Sequence, residues 1–365
     1  MKKIAIDPGY GYVKGIDEFK NAVCFPSLVA PAHDRSMEEV LSGVSNGNSL
    51  KEIEIEYEDA EGVYRLFVGD LARESRNATY SFDRNKVNHL NTRVLIATTA
   101  AILSSEGDRL WVGVGLPFEY FKAQGEEMKR LLMDFNARVR FKGNGYDRKI
   151  TFDRVSIYAQ GATSIYDALL YPNGAFRYPE LMRNGSLVAM VNWGTRTADV
   201  VVFKSGRDGF RLQSELSFTL DDVGAMEIRR MVQRAFHSKV GAPISVMEAE
   251  DIINDDGIVF YDGVEYDFSN TIEDSKRHIT RKVLDSLQNR WGNKISFIRK
   301  IFFAGGTTAD VGHLLRQHPL SKQIHIVEDP QLSEARGMLQ LMEIQQRQDE
   351  PRMEQEPQDR LSYSG

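Results

Sequence analysis

A carboxylate stands at the end of an apolar segment near the N-terminus, directly before a turn rich in glycine. The run IAI leads into Asp7, Gly9 and Gly11 follow, and Lys14 comes three residues later. Glycines let the backbone approach a ligand, successive amides can bind an anion, and a lysine adds a positive charge for phosphate. A carboxylate beside phosphate is repelled unless a divalent cation lies between them. The pattern therefore predicts a phosphate site with Mg²⁺, which Asp7 contacts through water.

The same pattern occurs again further along the chain. The segment VNWGTRTADVVVF places Asn192 and Gly194 at the spacing of Asp7 and Gly9, 185 residues later, and FFAGGTTAD, from Phe302, is a third glycine turn. One such turn is more often structural than functional, and the first turn lacks the GxxxxGK[ST] pattern of a Walker loop. The strand-and-glycine-turn pattern, however, recurs along the chain, and this repetition predicts a duplicated domain with one phosphate-binding turn in each copy.

Composition limits the class of protein that can carry these turns. A length of 365 residues favours two domains, and 42% apolar with 27% charged residues is typical of a soluble globular protein. The single cysteine, Cys24, excludes a disulfide framework and a cysteine metal site. The net charge of -6 argues against nonspecific binding of nucleic acid by the whole surface. Asp7 interrupts any signal-peptide core, and we expect a cytoplasmic protein without membrane contact.

The predicted elements of the first half alternate between strands and helices, which indicates an α/β sheet that would position the first turn. A polar region from Ala32 to Leu90 contains the alternating stretches EIEIEY and VYRLFVG, and it predicts an inserted subdomain of half-exposed antiparallel strands. The other predicted elements are strands at Lys2–Ile6, Asn21–Leu28 and Leu110–Pro117, strands within VRFKG and KITFDRVSIYAQG, a helix from Asn91, its cap, to Ser105, and a helix at Phe118–Phe135.

The second half begins again with a buried strand and ends in a polar segment. Its predicted elements are strands at Ser186–Asn192 and Ile298–Gly306, two strands joined by a turn at Arg207–Gly209, helices at Asp221–Phe236 and Ser269–Trp291, and a helix from about Leu332. We expect a first domain over residues 1–160 with its insertion at about 32–90, and a second over 161–330 with an insertion at about 238–292. A helix over 331–344 returns to the first domain, and a disordered tail covers 345–365.

These motifs resemble the actin and sugar-kinase ATPase superfamily, and within it the bacterial actin-like plasmid-segregation proteins of the ParM/StbA group. DPGYGYVKG is similar to the first phosphate loop, NWGTRTADVVVF to the second, and AGGTT to the adenosine motif. The segments 157–168 and 332–341 resemble the two connecting helices, and GLPFEYF is typical of the plasmid group. The resemblance implies an α/β, actin-like ATPase fold, with two duplicated ribonuclease-H-like domains flanking a nucleotide cleft.

The resemblance also implies roles for individual residues. Asp7 would hold Mg²⁺ through water, and Gln160 would orient the attacking water, although a glutamine that caps a helix start is the open alternative. Glu227 and Arg230 would approach the base, with a solvated helical face as the alternative. The nucleotide would be ATP or GTP. The residues expected to line its phosphates and nucleoside are Gly9, Tyr10, Gly11, Lys14, Asn192, Gly194, Thr195, Arg196, Gly305, Gly306 and Thr307.

Two positions depart from the family pattern. Tyr10 replaces a small Ser or Thr, and Asn192 replaces the usual Asp, so Asp7 is left as the one carboxylate expected on the metal side. Trp193 is also unusual, and we expect it to pack under the second hairpin. The departures bear on metal affinity and hydrolysis rate and leave the predicted fold unchanged.

Several functions use this fold, so the fold alone does not select one. The favoured hypothesis is a filament-forming nucleotidase that segregates plasmid DNA, self-associates head to tail, and binds an adaptor protein on a centromere-like site. We expect no direct DNA binding, because the basic stretch SKRHITRK, from Ser275, lacks interleaved aromatic residues. A metabolite kinase, a chaperone-type ATPase and another cytoskeletal filament remain alternatives.

Overall fold

The computed structural model describes residues 1–33, 50–75, 78–80, 89–142, 145–206 and 209–353. Its strands are β1 Lys2–Pro8, β2 Tyr12–Asp17, β3 Ala22–Pro26, β4 Leu28–Pro31, β5 Ile53–Asp59, β6 Gly62–Val68, β7 Thr79–Tyr80, β8 Leu110–Leu116, β9 Asn136–Phe141, β10 Asp147–Thr151, β11 Arg154–Ala159, β12 Leu187–Trp193, β13 Ala198–Gly206, β14 Gly209–Leu212, β15 Phe218–Leu220, β16 Ile258–Tyr261, β17 Val264–Asp267, β18 Ile298–Ala304 and β19 Ile324–Ile326.

The α-helices pack around these strands. They are α1 Leu90–Leu103, α2 Phe118–Met133, α3 Ser164–Leu169, α4 Ala225–Val240, α5 Val246–Asn254, α6 Ser269–Trp291, α7 Gly306–Gln317 and α8 Ser333–Met353. Within the described ranges, no helix combines the length and the apolar character needed to cross a bilayer.

The two main sheets repeat one arrangement. The first has the order β11-β8-β1-β2-β3 and the second the path β14-β13-β12-β18-β19, with β15 added to β13. In each, an antiparallel hairpin, β1–β2 or β12–β13, adjoins a parallel strand, β8 or β18. This shared order supports the predicted duplication, and it places the turns after β1 and β12 at equivalent ends of their sheets.

Continuous apolar runs form the central strands because helices cover both faces of the sheet. Ile4 and Ile6 of β1 belong to a core cluster that includes Val94 and Ala97 of α1. Ala5 lies on the other face, in a cluster with Met338 and other residues of α8. The helix predicted to return to the first domain therefore forms part of its core.

A second sheet in the first domain contains the predicted antiparallel strands. β5 and β6 pair antiparallel, as the stretches EIEIEY and VYRLFVG indicated. The sheet has the order β10-β9-β5-β6-β4-β7, so it also takes in strands at 136–151, outside the predicted boundaries of about 32–90. Residues 34–49, 76–77 and 81–88 of that segment lie outside the described residues.

Several predicted element boundaries were wrong. The helix predicted from Asn91 begins at Leu90 with His89 as its N-cap, and Asn91 is buried in the first turn. The helix predicted to start near Asp221 begins at Ala225, after Gly224. The strand predicted over 21–28 is divided between β3 and β4, and residues 207 and 208 of the predicted 207–209 turn lie outside the described residues.

Both predicted connecting segments also differ from their expected lengths. Residues 157–159 finish β11, and the helix begins only at Ser164, because Gly161 adopts a left-handed conformation with φ of +78°. The C-terminal helix continues to Met353, well into the 345–365 segment predicted to be disordered. Residues 354–365 lie outside the described residues.

Candidate functional site

The first turn brings three predicted residues into one hydrogen-bonded group. Asp7 is 4% exposed at the end of β1, and Lys14 lies opposite it across the hairpin. The Lys14 ammonium donates to Asp7 Oδ2 at 3.0 Å, and the Gln160 amide donates to Asp7 Oδ1. A carboxylate, an ammonium and an amide therefore meet where the C-terminal ends of β1 and β11 come together.

Glycine is required within this turn. A Cβ at Gly9 would lie 2.7 Å from the carbonyl oxygen of Tyr12 and 2.8 Å from Lys14 Nζ. Ser27, between β3 and β4, fixes the turn from behind, because its hydroxyl donates to Gly9 O at 2.6 Å and its amide to Gly11 O at 2.8 Å. Ser27 was not predicted as a site residue, since a serine between two strands carries no distinguishing signal in the sequence.

The second turn faces the first. The amide of Gly194 donates to the carbonyl of Thr197 at 2.9 Å and closes the turn between β12 and β13. A Cβ at Gly11 would collide with the side chain of Thr195. The Arg196 guanidinium lies 5.8 Å from the centre of the Tyr10 ring. Tyr10, which departs from the family pattern, therefore contacts the opposite turn through its ring.

The third turn is attached to the second. Gly305 has φ of +89°, and a Cβ there would collide with the backbone of Trp193. The Thr307 hydroxyl donates to Gly194 O at 2.8 Å and accepts from the amide of Ala225 at 3.1 Å. The AGGTT segment thus lies against both the second hairpin and the start of α4, and Gly306 begins α7 beside it.

Trp193 packs under the second hairpin, as predicted. Its ring is fully buried in the core of the second domain, and its indole N–H donates to the carbonyl of Val223 at 2.8 Å.

Glu227 and Arg230 interact with charged residues on α4 and just before it. Arg230 lies 3.5 Å from Glu227 and 3.4 Å from Asp222, and Arg234 donates to Glu227 at 3.0 Å. These contacts describe a charged helical face, and a role toward the base stays a prediction. The buried basic residue of this helix is Arg229, which was not predicted.

Arg229 belongs to an interdomain ion cluster formed by Tyr12, Arg73, Arg229, Glu250 and Asp251. Glu250 is 3% exposed and Arg229 5% exposed, and the two side chains form an ion pair. Tyr12 donates to Glu250 at 3.0 Å, while Arg73 lies 2.5 Å from Glu250 and 3.0 Å from Asp251. Burial, together with Glu250, raises the pKa of Tyr12. Because Tyr12 and Glu250 are far apart in sequence, only the fold reveals this cluster.

A second buried carboxylate, Glu334, lies beside the turns. Its oxygens accept from Ser164 Oγ at 2.5 Å, from the Gly161 amide and Asn192 Nδ2 at 3.1 Å each, and from the Thr163 hydroxyl. Burial and then the negative charge of Asp7 raise the pKa of Glu334 to about 7. Acidic residues are common in the first turn of a helix, where they interact favourably with the helix dipole, so nothing in the local sequence distinguishes Glu334 as a site residue.

Glu334 is expected to make the protein less stable as pH rises. Its pKa is about 7 in the folded state against an ordinary value of 4.5, so the folded state binds the proton more tightly. This stabilising contribution is complete below pH 4.5 and is lost as pH rises through 7, at a cost of about 3 kcal/mol. Urea unfolding of the nucleotide-free protein at pH 5, 6, 7 and 8 measures the loss. In Glu334→Gln the decline should be smaller, and an equal decline in both proteins would contradict the assignment.

The chain belongs to the actin-like proteins. The family model of the N-terminal domain of actin-like proteins matches residues 5–162, and the model of the MreB-like C-terminal domain of the archaeal actin homologue matches residues 190–317. Together they confirm the predicted α/β, actin-like ATPase fold with two domains. A comparison with curated proteins gives no match.

Solved structures place the chain close to ParM. A 15-stranded ParM filament from Clostridium botulinum is 25% identical, with a TM-score of 0.83 over 94% of this chain and 99% of that chain. A non-polymerisable quadruple mutant of pCBH ParM is 23% identical, with a TM-score of 0.82 over the same shares. The archaeal actin homologue Ta0583 in complex with ADP is 16% identical, with a TM-score of 0.73 over 94% of this chain and all of that chain. The chain is a ParM-like member of its family.

Proposed function

We propose that the protein hydrolyses ATP or GTP, polymerises in its nucleotide-bound state, and drives plasmid DNA segregation in the cytoplasm, with hydrolysis destabilising the filament. The observation that carries this proposal is the hydrogen-bonded group of Asp7, Lys14 and Gln160 at the meeting point of two opposed glycine turns. Hydrolysis of a phosphoanhydride depends mainly on positioning and charge, which this group can supply.

The residues of the first turn suit a nucleotide phosphate accompanied by Mg²⁺. Among the described residues, no three His, Cys, Asp or Glu side chains form a group that could hold a metal ion alone. Mg²⁺ commonly binds through one or two carboxylates, phosphate oxygens and retained waters, so the single carboxylate of Asp7 fits it. When bound, the ion would neutralise charge on the phosphates.

The protein's own groups would then divide the work of binding and hydrolysis. Lys14 would place a positive charge beside the phosphates, and the amides around Gly9 and Gly194 would donate to their oxygens. Gln160 donates a hydrogen bond from its side-chain NH2 to Asp7, so its carbonyl oxygen can accept a hydrogen bond from a water and orient it. The third turn, at Gly305 and Gly306, would border the nucleoside.

Two features support self-association. The similarity to a ParM filament extends over nearly the whole chain. The β16–β17 hairpin also exposes apolar side chains, with Phe260 72% and Val264 50% exposed, which favours a protein contact there. A head-to-tail contact joins two different surfaces and generates an open helical filament.

We propose that the filament reaches its DNA cargo through an adaptor protein bound to a centromere-like site. The net charge of -6 disfavours direct binding to DNA. In the basic stretch on α6, Arg277 lies 3.4 Å from Glu273 and 3.3 Å from Asp274, so part of its charge is balanced within the helix.

Addition of Mg-ATP or Mg-GTP to the purified protein is expected to produce a polymer, followed by phosphate release and a fall in light scattering. Light scattering and phosphate release should be recorded in the same sample. The matched control replaces the triphosphate by the diphosphate with Mg²⁺. Phosphate release without a polymer under any condition would contradict the filament function and favour a metabolite kinase.

A further inference from the structure

The turn that carries Gln160 is held by one carboxylate. After β11, the backbone turns at Gly161, whose amide donates to Glu334 Oε2 at 3.1 Å. The Ser164 hydroxyl donates to the same oxygen at 2.5 Å, and the Thr163 hydroxyl donates to the other oxygen. Three donors from one short segment therefore converge on Glu334, directly beside the residue expected to orient water.

The same carboxylate also contacts the opposite turn. Asn192 Nδ2 donates to Glu334 Oε2 at 3.1 Å, from the end of β12. Above its pKa of about 7 Glu334 is a charged acceptor, and hydrogen bonds to a charged acceptor are stronger than neutral ones and, in a buried place, are screened little by water. Glu334 thus joins the Gln160 segment of the first domain to the second hairpin.

Helix α8 holds Glu334 in place independently of these contacts. Arg336 forms a bidentate ion pair with Asp167 of α3, with both N–O distances 2.8 Å. Gly337 lies so close to the backbone of Thr163 that a Cβ there would collide with it. The start of α8 is therefore fixed against the same segment, and the position of the Glu334 carboxylate does not depend on a ligand.

We propose that Glu334 is a positioning residue for hydrolysis, which acts with Asn192 to hold the Gln160 amide toward Asp7. The inference rests on the proposed function. Loss of the charge at Glu334 would loosen the Gly161–Ser164 segment and misalign Gln160, so kcat should fall more than KM rises. A purely structural role would instead lower stability and leave kcat of the folded protein unchanged.

Variants that exchange the carboxylate of Glu334 with the amide of Asn192 test this role. Glu334→Gln leaves no carboxylate in the pair, and Asn192→Asp places two carboxylates against each other. The double variant has one carboxylate and one amide again, with their places exchanged. At pH 8, above the pKa of Glu334, we expect each single variant to lower kcat for phosphate release at least tenfold, with KM within about threefold. The double variant should be several-fold more active than the poorer single variant without reaching the original rate, because a glutamine side chain has only one oxygen to accept from the three donors of the Gly161–Ser164 segment.

Two further variants separate positioning from folding. Ser333→Ala is the matched control, because Ser333 is fully buried next to Glu334 and, in the described part of the chain, its hydroxyl has no hydrogen-bond partner. It should leave kcat unchanged. Ser164→Ala removes one donor to Glu334 and should lower kcat several-fold. This variant tests the role of Glu334 without changing Glu334, so the test remains possible if the Glu334 variants do not fold.

The melting temperatures of all nucleotide-free variants provide a readout that does not depend on activity. The double variant should melt above both single variants. The inference about Glu334 would be overturned, with the proposed function intact, if the single variants fold and keep the original kcat. It would also be overturned if the double variant is no more active than the poorer single variant. If the original protein releases no phosphate, the proposed function itself fails.

Discussion

Asp7→Ala is expected to abolish hydrolysis and to leave the fold intact, and Asp7→Asn to slow phosphate release on the order of 10² to 10³-fold. In the structure, Asp7 accepts from both Lys14 and Gln160, so it organises the two other groups of the first turn. The asparagine variant keeps the shape of the side chain and removes its charge, which separates the loss of charge from the loss of packing. Phosphate release under saturating Mg²⁺ and nucleotide measures the effect, and circular dichroism checks the fold.

A second lysine–carboxylate pair on the same hairpin provides the control. Lys3 lies 2.7 Å from Glu18, away from the cleft. Glu18→Gln should therefore hydrolyse nucleotide at the original rate. Turnover that survives Asp7→Ala would show that our interpretation of the first turn is wrong.

Glu250→Ala is expected to lower the free energy of unfolding by about 3 to 5 kcal/mol, since removing one partner of a buried ion pair leaves the other charge unpaired. Here the charge left without its partner would be that of Arg229, which is 5% exposed and belongs to the interdomain ion cluster. Tyr12 and Arg73 would lose the same carboxylate, so the contact between the domains would also weaken. Urea denaturation of the nucleotide-free protein, followed by tryptophan fluorescence, measures the change.

Glu248 on the same helix is the matched control. It forms a capping box with Ser245, which accepts from the Glu248 amide at 3.1 Å, and both groups are at the surface. Glu248→Ala should cost about 1 kcal/mol or less. If Glu250→Ala costs no more than Glu248→Ala, the cluster contributes little to the contact between the domains.

Sequence patterns predicted the parts of the site that depend on local geometry. Gly9 and Gly305 lie where a Cβ would collide with neighbouring atoms, so the backbone of these turns requires glycine and the requirement is visible in the sequence. Asp7 and Gln160 were matched to their places by motif, and the structure brings them into contact. The pairings that were missed, Asn192 with Glu334 and Tyr12 with Glu250, join residues more than 100 positions apart, and no local pattern encodes them.

The C-terminal helix shows why composition misled the prediction of disorder. The residues after Gln345 are polar, which is typical of disordered segments, but Gln, Arg and Glu are also good helix formers. Asp349 lies 2.8 Å from Arg154 of β11, so the first domain stabilises the last turns of α8. The local sequence permits two states, and this contact favours the helical one.

The position of α8 in the chain has a consequence for biosynthesis. Met338 and Met342 cover Ala5 and Trp111 on one face of the first sheet. The chain between the end of β8, at Leu116, and Met342 is 342 − 116 = 226 residues long, so at 5 to 20 residues per second that face stays uncovered for roughly 10 to 45 s until α8 has been made. The first domain thus cannot complete its core on the ribosome ahead of the second. The nascent chain carries an apolar surface that chaperones can bind, and a truncation before Met338 should yield aggregated protein.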